Sequence, residues 1–125
     1  MMLSLGRIGQ IAVNARDLER ATVFYRDALG MRFLFQVPNM AFFDCDGIRL
    51  MLGVAEKGEF DHASSILYFA VDGIETVHTE LVARGVSFVD EPHFVADLGT
   101  RELWLCFFRD SEENVHALME EKAKS

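Results

Sequence analysis

Hydrophobic positions change period twice within residues 11–35, IAVNARDLERATVFYRDALGMRFLF. Residues 8–14 form a short β-like run. Leu18, Ala21, Tyr25, Ala28 and Leu29 then recur at the spacing of one helical face. Residues 31–37 return to strand character. Asp17 suits the helix start, where a carboxylate accepts a free backbone N–H, and Gly30 suits the stop, where φ turns positive. A weaker strand–helix–strand copy spans residues 67–89. There Ile74, Val77, Leu81 and Val82 make the helix face, Asp72 the cap and Gly85 the stop.

Tight turns divide what remains into further strands. Pro38-Asn39 and Asp46-Gly47 are turn pairs, the second being the strongest hairpin signal in the chain. They separate strands at 40–45 and 48–54. Residues 55–65, AEKGEFDHASS, are polar and aperiodic and read as a linker, with His62 solvated. The second half continues with strands at 66–71, within 86–96, at 102–109 and at 115–119, and a charged tail at 120–125 expected to fray. The predicted fold is α+β in a single domain, residues 1–125. It has two tandem βαβββ modules, 7–54 and 66–119, joined by linker 55–65, with a cleft between curved mixed sheets. Leu18-Glu19 matches Ile74-Glu75, and Phe42-Phe43 matches Phe107-Phe108, each pair just before an acidic turn.

Charge and composition narrow the partners. The net charge of −8 argues against nucleic acid and anionic membranes, and over the whole molecule favours a cationic guest. No stretch approaches the ~20 apolar residues of a membrane span, and the first residues lack the pattern of a signal peptide. The two cysteines do not form a disulfide framework. Cys45 lies between Asp44 and Asp46, which disfavour a thiolate, and Cys106 lies in the apolar run LWLCFF. A reducing cytoplasm is the expected compartment.

The segments IGQIAVNARDLERATVFYRDALGM and FFRDSEENVHALM carry a family resemblance. The chain resembles the vicinal oxygen chelate superfamily, the group of glyoxalases, bleomycin-resistance proteins and extradiol dioxygenases. The second segment is similar to the family's Asp-Pro-Asp-Gly-Asn turn, with Ser111, Glu112 and Glu113 departing from it and Asn114 kept. The resemblance implies a homodimer joined through the sheets. It also implies a divalent metal held by one ligand from each of four strands, at positions that fall on Gln10, Met51, Ile66 and Ala117. Only Gln10 suits such a metal: a thioether is a soft neutral donor, and Ile66 and Ala117 have none. His78, His93 and His116 do not share one face of neighbouring strands. No metal and no other cofactor is expected.

Strand parity extends this into a cleft. If Gln10, Met51, Ile66 and Ala117 face it, so do Ala12, Asn14, Arg49 and Tyr68, while Ile11, Val13, Leu50, Leu52 and Phe69 pack under the helices. Two-residue turns pair Met51 with Phe42 and Phe42 with Phe35, and cross-strand partners share a face. Phe33, Phe35, Phe42 and Met51 are thus expected to line the cleft, with Leu105 and Phe107 opposite. Trp104 has the other parity and points to helix 2. His93 pairs with it and is expected to be structural, and a bulge near Pro92 would reverse both assignments.

The expected function is metal-independent binding of a small aromatic or amphiphilic molecule, with Gln10, Asn14, Arg49 and Tyr68 as polar handles. Two alternatives stand beside it. One is a glyoxalase-type metal-dependent lyase or isomerase with relocated ligands. The other is a structural or regulatory protein whose cleft is closed by its own side chains.

Overall fold

The computed structural model describes residues 3–55 and 58–124. Residues 56 and 57 of the linker, and the terminal residues 1, 2 and 125, lie outside the described residues. The first module contains β1 (Gln10–Asn14), α1 (Leu18–Val23), β2 (Arg32–Val37), β3 (Met40–Cys45) and β4 (Ile48–Gly53). The second contains β5 (Tyr68–Ala70), α2 (Ile74–Ala83), β6 (Ser87–Phe88), β7 (His93–Asp97), β8 (Arg101–Arg109) and β9 (Val115–Ala123). Each module forms one mixed sheet. The first has the order β1-β4-β3-β2 and the second β5-β9-β8-β6, with β7 also paired to β8. In both, the strand before the helix runs parallel to the last strand of the module.

Local chemistry sets the turns. Asp46 and Gly47 both adopt positive φ, 48° and 96°, as a tight hairpin of right-handed twist requires. Asn39 takes φ 66° after Pro38. Met51 therefore lies opposite Phe42, and Phe42 opposite Phe35. Gly30 and Gly85 end the helical segments with φ 70° and 91°.

Several boundaries differ from the sequence pattern. The first helix does not stay α: Phe24–Ala28 form a π turn, closed by the Leu29 N–H donating to the Phe24 carbonyl. The wider turn lets adjacent residues both face inward. Tyr25 is buried in the first core, and Phe24 packs against both cores. Asp72 does not cap α2. Its N-cap is Gly73, and the Glu120 carboxylate accepts from the backbone N–H groups of Gly73 and Ile74. The tail does not fray at residue 120, because β9 runs to Ala123 against the full length of β8.

Two bulges change side-chain faces. Leu34 is an extra residue between the Phe33–Phe43 and Phe35–Phe42 pairs. Phe33 thus turns to the helix side and meets Phe43 edge-on at 5.5 Å, so it does not line the cleft. Val95 plays the same part in β7, and His93 pairs with Leu105 rather than Trp104. Trp104 keeps its helix-side position against the second core, because the bulge lies in β7 and not in β8.

The modules meet along α1 and the β8–β9 turn. Glu112 is the main clasp. Its Oε1 accepts the backbone N–H groups of Arg16 and Asp17, each at 2.8 Å, and its Oε2 accepts the Arg20 guanidinium at 2.8 Å. Burial pushes this carboxyl up, but those donors and the Ser111 hydroxyl outweigh burial and hold it down to about 2. Beneath it, Asp110 accepts four hydrogen bonds, from the Glu112 and Asn114 backbones, the Asn114 amide and the Tyr25 hydroxyl. The Asn114 amide also donates to the Asn14 carbonyl, tying the turn to β1.

His116 completes the cluster, fully buried with Nε2 2.8 Å from the Tyr25 oxygen. The tyrosine gives its one proton to Asp110, so Nε2 must be the N–H and Nδ1 the bare nitrogen. Nδ1 has no partner. Burial lowers the His116 pKa despite the nearby Asp110 carboxylate, which keeps the imidazole neutral.

Glu112→Gln, which keeps shape and removes charge, is expected to destabilise the fold by about 2–4 kcal/mol in urea unfolding, the scale of losing charge-assisted bonds to a buried carboxylate. The wild-type contribution is fully present above the unfolded value of 4.5 and is lost as pH falls through about 2. The variant's acid unfolding curve should lose that component, and equal acid sensitivity in the two proteins would refute the assignment. Glu113 sits at φ 70°, where the family turn carries glycine. Glu113→Gly is expected to raise stability by about 0.5–1 kcal/mol by relieving the left-handed backbone. An unchanged or lower unfolding midpoint would show that the strain is absorbed elsewhere.

Candidate functional site

Helix-side residues of the first sheet, among them Val13, Ala41, Phe43, Leu50 and Leu52, are buried. The opposite face carries cross-strand rows whose register follows from the pairing. The edge row is Arg32, Asp44, Arg49 and Gln10. Next come Phe35, Phe42, Met51 and Ala12, and then Val37, Met40, Gly53 and Asn14. One end of the face is thus polar and its middle apolar.

The middle row is ordered by its rings. Phe35 and Phe42 stack with centroids 4.5 Å apart, and the Arg49 guanidinium lies over Phe42, 5.1 Å from the ring centroid. The Arg49 Nε donates to the Gln10 Oε1 at 2.7 Å. An arginine cannot accept, so this bond fixes the amide: its oxygen faces Arg49 and its NH2 faces away. That NH2 lies 3.7 Å from the Met51 sulfur, a weak acceptor.

A cavity of about 520 Å³ opens beside Met51. Its sheet wall includes Ala12, Asn14, Met40, Met51 and Gly53. Its other wall is the linker, with Phe60, His62, Ser64 and Ser65. Two bonds hold that linker down: the Asn14 amide donates to Asp61 Oδ1 at 3.1 Å, and the Asn14 backbone N–H to Ser64 Oγ at 2.8 Å. The linker is therefore a wall of the site and not only a tether. His62 was expected to be merely solvated, but it borders the cavity. The aperiodic polar composition of this stretch gave no sign of that role.

The anticipated residues fall into two groups. Gln10, Phe35, Phe42, Arg49 and Met51 come together on the first sheet, with Asn14 on the same face. Tyr68, Phe107 and Leu105 share a face of the second sheet, where Tyr68 and Phe107 meet edge-on at 6.1 Å. None of the second group lines the cavity, which lies between the first sheet and the linker. Phe33 belongs to neither group.

The metal positions can be tested on donor chemistry. Gln10 is committed to Arg49, and a guanidinium beside a ligand repels a divalent cation. Met51 offers a thioether, while Ile66 is an exposed hydrocarbon and Ala117 is buried without a donor. Among the described residues no three His, Cys, Asp or Glu side chains are grouped to hold a metal. This donor set does not fit the ion. Neither cysteine offers a nucleophile: burial, then Asp44 and Asp46, push the Cys45 thiol up, and burial pushes Cys106 up to about 11.

The sheets and the β8–β9 turn are those of one protein class, and direct comparison bears this out. The model of the Glyoxalase/Bleomycin resistance protein/Dioxygenase superfamily matches residues 7–118. The chain belongs to that superfamily. A superfamily member from Sphaerobacter thermophilus superposes with a TM-score of 0.76 at 22% identity, covering 95% of this chain and 100% of that one. A lactoylglutathione lyase from Agrobacterium tumefaciens gives 0.71 at 21% identity, covering 94% and 95%. An integron cassette protein from V. cholerae gives 0.76 at 16% identity, covering 96% and 98%. At these identities the likeness is one of fold. Among the described residues no helix is long and apolar enough to cross a membrane.

Asn14→Ala combined with Ser64→Ala removes both linker ties, the first by deleting the donor amide and the second by deleting the acceptor hydroxyl. Hydrogen exchange over residues 58–65 is expected to speed up several-fold, since each such bond contributes about 1 kcal/mol. Exchange in β3 and β4 should stay unchanged. Equal linker exchange in variant and parent would mean that other contacts hold this wall.

Proposed function

We propose that this protein binds a small aromatic or amphiphilic molecule without a metal, on the apolar face of the first sheet. The observation that carries the reading is the exchange of chemistry at the family's ligand positions. Metal donors are missing there, and a cavity of about 520 Å³ adjoins Met51, within the size range of small-molecule sites. Phe35 and Tyr68 are 45% and 49% exposed, so the chain's own packing does not bury these aromatic faces. This favours an open site over a cleft filled by its own side chains. Relocated metal ligands have no supporting cluster among the described residues.

The same exposure supports a homodimer. Within one chain the modules pack through α1 and the β8–β9 turn, which leaves the face of the second sheet, and the part of the first not covered by the linker, free to meet a second copy. Tyr68, Leu105 and Phe107 would then reach the first group from across the interface. The cytoplasm remains the compartment we propose, with a small molecule rather than nucleic acid or membrane as partner.

Two measurements test this. Elemental analysis of protein purified without added metal is expected to find substoichiometric Zn, Ni, Mn and Fe, and chelation should shift the melting temperature by less than about 1 °C. Stoichiometric metal with loss of stability on chelation would overturn the metal-free reading. Light scattering is expected to give a mass near twice the 14.2 kDa of one chain, and a monomer at micromolar concentration would remove the dimer.

A further inference from the structure

Arg49 and Gln10 together present mainly hydrogen-bond donors to the cleft. Arg49 has no salt-bridge partner among the described residues, and its one hydrogen bond runs from Nε to Gln10. Both its Nη groups are left for a guest. Gln10 turns its oxygen towards Arg49, so its NH2 is the group that points away from the guanidinium. The guanidinium is pinned on two sides, by that bond and by the Phe42 ring, and so is held in place before anything binds.

We propose that Gln10 and Arg49 form an oxyanion subsite, and that the guest is an aromatic or amphiphilic carboxylate. The proposal rests on the cleft-binding reading above and names its ligand class. The acid group binds Arg49 and the Gln10 amide. The apolar body lies over Met51, beside the exposed Phe35 ring, towards the cavity beside Gly53. Arg49 and Gly53 are four residues apart on β4, or about 13 Å at the rise of an extended strand. A two-ring aromatic acid or a medium-chain acid spans that distance.

Charge must be weighed at two scales. The chain carries −8 overall, which favours a cation. Salt at physiological strength screens charges beyond ~8 Å, so the net charge of the whole chain is felt only weakly at any one site. A guanidinium in direct contact with a carboxylate acts within hydrogen-bond distance and outweighs it. The nearest opposing group on the face is Asp44, the cross-strand partner of Arg49. Its Oδ1 already accepts the Gly47 N–H, and Arg32 stands on its other side.

Three probes of one shape test the assignment: 2-naphthoate, neutral 2-naphthamide and cationic 2-naphthylmethylammonium, titrated by fluorescence. The naphthoate is expected to bind at least about tenfold more tightly than the amide, with the ammonium weakest. Arg49→Gln should bring naphthoate down to the level of the amide and leave amide binding intact, which also reports that the variant is folded. Gln10→Glu, which supplies Arg49 with its own carboxylate, should do the same. Asp44→Asn should tighten naphthoate alone. Equal binding of all three probes, or tightest binding of the ammonium, overturns the oxyanion subsite and leaves the apolar site standing. No binding of any probe to the wild-type protein overturns both.

Discussion

One carboxylate governs how the halves of this molecule are joined. Glu112 reaches from the second module to the start of α1 and accepts two backbone N–H groups that a helix start would otherwise leave open. It accepts Arg20 as well. Such a group cannot be half satisfied: buried and ionised, it needs its donors where they are. Asp110 fixes the turn that carries it, with all four of its acceptor sites occupied. Tyr25 links that turn to the first core, and Phe24 packs on both cores. Polar and apolar contacts thus agree on one docking of the modules. That docking uses the helix sides and leaves both sheet faces outward.

What could be read from sequence was mostly local. Asp46-Gly47, Asn39, Gly30 and Gly85 each need positive φ, and the residues announce it. The pairs Phe35–Phe42 and Phe42–Met51 followed by counting from those turns. What could not be read depended on distant partners. Glu120 rather than Asp72 caps α2, because β9 passes the helix start. The tail becomes strand because β8 is long enough to pair with it. The two bulges leave no local mark, since neither Leu34 nor Val95 is a residue type that demands one. Each nonetheless reassigns a face.

The site was legible by subtraction. Placing the family's ligand positions on Gln10, Met51, Ile66 and Ala117 pointed to a candidate region and found a usual donor for a hard metal only at Gln10. The cavity wall was not legible. Residues 58–65 are polar and without period, and their place over the sheet depends on Asn14, a residue some fifty positions earlier in the chain.

The bulge at Leu34 links the fold to the site most directly. Without it, Phe33 would share the cleft face with Phe35, and Arg32 would turn towards the buried core beneath α1. A guanidinium there would be stripped of water with no partner, at a cost of several kcal/mol. With the extra residue, Phe33 turns to the helix side beside Phe43 and Arg32 joins the edge row with Asp44 and Arg49. One inserted residue therefore removes a ring from the cleft face and adds a cation to it. The edge row ends with two arginines and one aspartate, positive in balance, next to a stacked pair of phenylalanines. On the metal-free reading proposed above, the positive charge of this sheet is carried by side chains.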